Sequence, residues 1–167
     1  MSKQLKGIVI KRTEKVTKNL VDLFEILNTD MNCNSPLRVK FGEDCFHDLA
    51  DMTDAFIAYH DFEPIGCAIL KKQSKEIGIM TNIYTAPDFR KHGLFYKLLE
   101  AVEKRAKERG HLMLIGDTWK ELIPMQRAWL KGGFTEYKVM PDNKVEKDYY
   151  EAGHNYWKLL ATPATNQ

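Results

Sequence analysis

The sequence predicts an α/β (α+β) chain built on one mixed, twisted sheet. Three observations predict it. Short apolar and β-branched runs crowd the first half, a long amphipathic helical pattern follows them, and strand–helix–strand patterning fills the rest. Counting such runs gives about seven strands and about four helices. The 167 residues contain no repeat and no Gly/Ser/Pro linker, so a single domain is expected.

Taken in order, Gly7–Ile10 reads as a first strand. Leu20, Leu23, Phe24 and Leu27 then recur at helical spacing, with Thr13 or Thr17 available as N-cap. The segment from Asn32 to Pro36 ends that helix, because the residue before a proline is pushed out of the α region. A shorter helix is expected around Asp44–Ala50. Ala55–Tyr59 and Ile65–Leu70 flank His60–Pro64 as a hairpin, and Ile77–Thr85 follows as a third apolar strand. Beyond Pro87 the period changes. Leu94, Leu98, Val102 and Ala106 form one stripe of a helix, widened by Phe95 and Leu99. Glu100 with Lys104, and Glu103 with Lys107, decorate its other face, and Gly110 ends it. A strand at Leu112–Ile115 leads to Gly116-Asp117-Thr118. A helix over about 121–131 stops at Gly132-Gly133, and strands are expected at Phe134–Val139 and Asn155–Leu160.

Composition narrows the function classes. The charge is nearly balanced, 25 basic against 23 acidic residues for a net +2, which supplies no general attraction to nucleic acid or anionic membrane. Hydrophobic residues make up 44% of the chain, enough to exclude disorder, and no apolar run approaches membrane-spanning length. Cys33, Cys45 and Cys67 are scattered and odd in number. With no apolar targeting segment at Met1–Lys6, they read as reduced thiols of a cytoplasmic protein. The histidines His47, His60, His111 and His154 lack metal-ligand spacing, so no metal is expected.

The junction Pro87–Phe95 carries the chemistry. A strand runs into a helix there, and helix N-termini present unpaired N–H groups together with a partial positive charge. Gly93 permits close backbone approach, while Arg90, Lys91 and His92 add positive charge in the same turn. Two readings fit: an anion cradle for a phosphate, or a solvated basic turn with a glycine easing entry to the helix. Neither GxxxxGK[ST] nor GxGxxG occurs, which disfavours P-loop and Rossmann cofactors.

The run Tyr84-Thr-Ala-Pro-Asp-Phe-Arg-Lys-His-Gly93, followed by Leu98-Leu99 and Ala106-Lys-Glu-Arg-Gly110, resembles the cofactor loop and helix of the GNAT superfamily of N-acetyltransferases. That family's pattern is V-x-P-x-(Y/F)-R-x-x-G-x-(G/A). Gly133-Phe134 resembles the pair closing its second motif. Asn34-Ser-Pro-Leu-Arg38 and Ile115-Gly-Asp-Thr118 resemble phage-encoded members. The resemblance implies a GNAT-like acetyltransferase domain over 1–162, with 163–167 a frayed tail. It implies acetyl-CoA as co-substrate, an unidentified amine as acceptor, and leaves room for a homodimer. The alternatives are a CoA-binding module without turnover and an interaction protein that keeps only the fold.

Carried over residue by residue, the resemblance places the pyrophosphate on backbone amides of Lys91, His92, Gly93, Leu94, Phe95 and Tyr96, beside Arg90. The strand edge Ile83, Tyr84 and Thr85 would pair with the pantetheine arm, and the Ile83 amide would face the acetyl carbonyl. Three positions depart from the family. Phe95 stands where Gly or Ala is usual, a crowding of the pyrophosphate. Ile79 stands where some members carry a glutamate base. Trp129 replaces a tyrosine that protonates the departing thiolate, and an indole N–H does not ionise in that range. Trp129 is therefore expected to pack beside the thioester and shape the pocket. Asp117 reads either as base or amine-binding carboxylate, or as a turn or N-cap aspartate. The acidic stretch Glu43, Asp44, Asp48 and Asp51 could draw a cationic substrate or form a solvated helix face. Tyr149, Tyr150, Tyr156 and Trp157 read as packing at the sheet edge, or as an aromatic wall for the acceptor.

Overall fold

A computed structural model describes residues 7–32, 52–119, 122–137 and 153–160. Along them run β1 (Val9–Thr13), α1 (Lys18–Asn32), β2 (Met52–His60), β3 (Glu63–Lys72), β4 (Ile77–Thr85), a 3₁₀ turn (Pro87–Phe89), α2 (Leu94–Glu108), β5 (Met113–Trp119), α3 (Ile123–Lys131), β6 (Thr135–Tyr137) and β7 (Gly153–Leu159). The order is the one expected. The short helix expected at 44–50, the Asn34–Arg38 segment, the acidic stretch, Cys33, Cys45, His47, Tyr149, Tyr150 and the tail 163–167 lie outside the described residues.

The strands form one seven-stranded sheet in the order β1-β2-β3-β4-β5-β7-β6. Every pairing is antiparallel except β4 with β5. The β2–β3 hairpin is tighter than expected. Tyr59 pairs with Pro64 and His60 with Glu63, leaving only Asp61 and Phe62 in the turn. Both have positive φ, 48° and 71°, the mirror-image geometry whose twist suits a two-residue hairpin. The strand expected to end at Ile115 runs on through Gly116–Thr118 to Trp119. Those residues continue β5, because β7 pairs with it from Leu159 opposite Met113 to Gly153 opposite Trp119. The first strand also shifts, from the expected 7–10 to 9–13, where its register with β2 runs from Val9–Tyr59 to Thr13–Ala55.

Two apolar cores cover the two sheet faces. On one face Leu94, Leu98, Val102 and Ala106 of α2 bury against Phe56, Leu70, Met80 and Leu114. On the other, Leu20 and Leu23 of α1 pack on Ala55, Ile57, Cys67, Ile69 and Tyr84. Of the two capping candidates, Thr17 caps α1, its Oγ1 accepting the Leu20 N–H at 3.3 Å. Thr13 Oγ1 instead accepts the Lys15 N–H at 3.0 Å. Burial removes Cys67 from reactivity, pushing its thiol up to about 12 despite a backbone hydrogen bond from Tyr84.

Ion pairs tie the elements together at two points. Asp54 on β2 is fully buried and accepts hydrogen bonds from Arg109 Nε at 2.5 Å, Arg12 Nη1 at 2.6 Å and Arg105 Nε at 3.1 Å. Glu103, expected to pair with Lys107 on the solvent face, instead accepts Lys158 Nζ at 2.6 Å, and the same ammonium reaches Gly132 O at 2.8 Å. This joins α2, the end of α3 and β7. No helix among the described residues is long and apolar enough to cross a membrane.

Candidate functional site

The parallel strands β4 and β5 share only the register pairs Ile77–Met113, Gly78–Leu114 and Ile79–Ile115. Past Ile79 each continues without a register partner in the other, so the sheet opens into a fork at its centre. A bulge in β4 turns the rim of that fork. Between the pairs Ile69–Thr81 and Cys67–Tyr84, two β4 residues, Asn82 and Ile83, stand opposite Ala68 alone. Asn82 takes φ 49°, its Oδ1 accepts the Thr81 hydroxyl at 2.9 Å, and its carbonyl lies 3.6 Å from Cys67 Sγ. One extra residue reverses the alternation of every side chain after it. Met80 lies in the α2 core, yet Tyr84 packs with α1, while Ile83 and Thr85 turn toward α2 and α3.

The connection from β4 to α2 is held by its own backbone. Ala86 N–H reaches Ile65 O at 2.8 Å, and the 3₁₀ turn closes with Arg90 N–H on Pro87 O at 3.2 Å. Arg90 Nε also donates to Thr85 O at 2.9 Å, bracing the turn against the strand. Lys91 and Gly93 both have positive φ, 64° and 87°, and Gly93 is the N-cap of α2. Alternating hand along successive residues curls their N–H groups toward one side, and the helix behind adds its positive end.

These parts meet in a cleft of about 510 Å³ between the turn and α3. Its volume lies in the range of small-molecule sites. Of the ten residues assigned from sequence to the cofactor, Ile83, Thr85, Arg90, Lys91, Gly93, Leu94, Phe95 and Tyr96 line it. Tyr84 and His92 do not: the bulge sends the Tyr84 ring to the opposite core, and His92 stands half-buried off the lining. Phe95 turns its ring edge-on to Trp129, centroids 5.4 Å apart at 86°, and its side chain joins the core as well as the cleft wall. Residues not anticipated come mostly from α3, above all Met125, Arg127, Ala128 and Lys131. With Pro124, the positions 124, 127, 128 and 131 make a helical stripe readable in the sequence, but nothing local says which element it faces.

The two catalytic candidates are not brought together. Trp129 is fully buried and outside the cleft lining, stacked on Tyr156 with centroids 6.1 Å apart and edge-on to Phe134 at 4.6 Å. Its Nε1 has no hydrogen-bond partner among the described residues. The indole covers Gly116, so Gly116 faces α3 and Asp117, next along the strand, faces the other side of the sheet. There Asp117 is exposed, in a cross-strand row with Asn155 of β7 and Tyr137 of β6. It is a mid-strand carboxylate, neither turn nor N-cap. Tyr156 and Trp157 lie on β7, where burial raises the Tyr156 hydroxyl pKa and the nearby Glu136 adds to the rise. His111 is buried with Nδ1 3.1 Å from Lys75 O, and His154 pairs with Glu136. Among the described residues, no group of three or more His, Cys, Asp or Glu could hold a metal ion.

Comparison with known proteins agrees with this geometry. The model of the acetyltransferase (GNAT) family matches residues 20–134. Similar solved structures include an acetyltransferase from Streptococcus agalactiae, 18% identical, covering 93% of this chain and 100% of that one with a TM-score of 0.72. A GNAT family acetyltransferase from Elizabethkingia anophelis with acetyl-CoA bound is 20% identical over 93% of this chain and 99% of that one, TM-score 0.69. The ribosomal-protein-S18-alanine N-acetyltransferase of Escherichia coli is 14% identical over 95% and 99%, TM-score 0.66. At these identities the likeness is one of fold. No curated protein matches the sequence significantly. The family match spans well over half of the residues and falls on the forked sheet, the turn and α3, and by it the chain belongs to the GNAT family of acetyltransferases, enzymes that use acetyl-coenzyme A as co-substrate.

Proposed function

We propose that this enzyme transfers an acetyl group from acetyl-CoA to a primary amine that approaches the fork from the α1 side of the sheet. The observation that carries the reading is the fork itself. It joins a cationic, otherwise apolar cleft on the α2–α3 face to the opposite face, which bears Asp117. The cleft fits the co-substrate: a curled backbone turn suits a pyrophosphate, and the apolar wall of Ile83, Leu94 and Phe95 suits a pantetheine chain. Acetyl-CoA supplies a thioester carbonyl open to attack. The chain's residues do the rest. Amides of Lys91–Phe95 hold the diphosphate, the Tyr96 N–H being bonded to Gly93 O at 3.1 Å, and the Ile83 N–H beside the bulge donates to the carbonyl oxygen as charge gathers there. Asp117 draws in the ammonium form of the acceptor and holds its nitrogen near the fork.

The bond that forms is nitrogen to carbonyl carbon, and the bond that breaks is carbon to sulfur. The ammonium gives one proton to water before attack and the nitrogen a second after the new bond forms, since only about one part in a thousand of the amine is neutral at pH 7. The sulfur, with a thiol pKa of about 8.5, leaves as thiolate. The test is incubation of the protein with acetyl-CoA and a panel of amines, peptides and polyamines, following free thiol and acetylated product by mass. Acetylated amine with stoichiometric CoA release supports the reading. Thiol release without any acetylated amine in the whole panel overturns the acceptor class, and acetylation confined to hydroxyls does the same.

A further inference from the structure

The cleft is more cationic than the protein that contains it. Among the described residues that line it, four are basic, Arg90 and Lys91 on the turn and Arg127 and Lys131 on α3, and none is acidic. The whole chain carries 25 basic and 23 acidic residues, so this excess is local. Arg127 and Lys131 are four apart and stand one above the other on the helix face turned to the turn. Both are exposed, and neither makes an ion pair with a carboxylate among the described residues. Lys131 Nζ instead lies 5.5 Å from the centroid of the Tyr96 ring, which draws it inward over the cleft.

Cations facing cations across a gap repel unless an anion sits between them. The diphosphate of the co-substrate occupies one anion site at most, and the amides of the α2 N-terminus already meet it. Coenzyme A carries a second anionic group, the 3′-phosphate on its ribose, at the nucleotide end. We propose that Arg127 and Lys131 clamp that 3′-phosphate, so that α3 selects the phosphorylated nucleotide while the turn holds the diphosphate. The planar guanidinium of Arg127 suits two phosphate oxygens at once, and the Lys131 ammonium supplies a movable point charge. This rests on the reading of the cleft as the acetyl-CoA site.

The test compares CoA with dephospho-CoA, which lacks only the 3′-phosphate, by titration calorimetry. The wild-type protein is expected to bind CoA at least about tenfold more tightly. The Arg127→Ala/Lys131→Ala variant should bind both alike, at the wild-type affinity for dephospho-CoA. Lys104→Ala, which removes an exposed charge of α2 away from the cleft, should leave the preference intact. Equal wild-type affinities, or a preference that survives in the double variant, overturn the clamp while leaving the cleft as the cofactor site. If the wild-type protein binds neither nucleotide, the cleft itself is misassigned. Should the double variant not fold, the salt dependence of the wild-type protein decides: CoA affinity must fall more steeply with KCl than dephospho-CoA affinity, and equal slopes overturn the proposal.

Discussion

A β-carbon added to Gly116 would lie 2.5 Å from Cη2 and 2.6 Å from Cζ2 of Trp129, so the indole occupies the place where β5 would otherwise carry a side chain. The ring cannot withdraw, held by Phe95, Phe134 and Tyr156. Gly116→Ala should therefore destabilise the fold by about 1–3 kcal/mol, the usual cost of overpacking a filled core. Chemical denaturation measures it. Trp129→Phe in the same chain should recover part of the loss, because a smaller ring makes room, giving a double-mutant cycle that is clearly non-additive. Additive losses would mean that the two residues do not contact each other.

Trp129→Phe alone should keep turnover within about tenfold, roughly 1.4 kcal/mol. The indole N–H has no partner among the described residues, and the ring stands outside the cleft lining. Asp117→Asn should cost more at neutral pH, with the loss carried mainly in KM for the amine. A pH–rate profile for each variant makes the comparison. A thousandfold fall in kcat for Trp129→Phe, with folding and CoA binding intact, would sink this assignment.

Gly93 has φ 87°, which a β-branched residue avoids. At a hundredfold excess over Kd, CoA should stabilise the wild-type protein by about 2.7 kcal/mol, read as a rise in Tm. Gly93→Val should abolish that rise and lower the ligand-free stability by about 1–3 kcal/mol for the strained backbone. A full CoA-induced shift in Gly93→Val would remove the diphosphate from this turn.

The Asp54 cluster predicts an acid limb. Burial by itself raises the carboxyl pKa, but hydrogen bonds from Arg109, Arg12 and Arg105, with the field of Arg109, outweigh it and hold the group below its ordinary range. Glu14, bonded to Arg12, is lowered too. A depressed carboxylate contributes stability that is fully present above its unfolded pKa of about 3.9 and is lost as pH falls through the folded value. Asp54→Asn should destabilise at pH 7 by about 2–4 kcal/mol, toward the lower end because the arginines keep contact with water. Urea melts across pH should show that gap closing below about pH 4. A gap independent of pH would mean that shape, not charge, holds β2 to α2.

Much of this was legible in the chain because the signals were local. The stripe Leu94–Leu98–Val102–Ala106 and the stops at Gly110 and Gly133, φ 82° and 86°, needed only neighbouring residues. Arg90, Lys91 and Gly93 declared an anion turn in the same way. The Gly116–Thr118 segment misled because Gly-Asp-Thr is good turn chemistry, and only pairing with β7, about forty residues later, overrides it. Nothing at Asn82 announces the bulge that turns the Tyr84 side chain to the α1 core. Arg127 and Lys131 were missed because a solvated helix face and a cofactor wall have the same spacing.

The three-pair junction of β4 and β5 has a mechanical consequence. Strands β1–β4 form one plate and β5, β7 and β6 another, and among the described residues the plates share a backbone seam only along Glu76–Ile79. Elsewhere they are riveted by side chains, as α2 and Trp129 sit in a single core with Phe56 and Met80 of one plate and Leu114 and Tyr156 of the other. Peptide hydrogen bonds set the rigidity within each plate. Packing against α2 sets the angle between them, so the jaw at the centre of the sheet is held open by oil rather than by backbone.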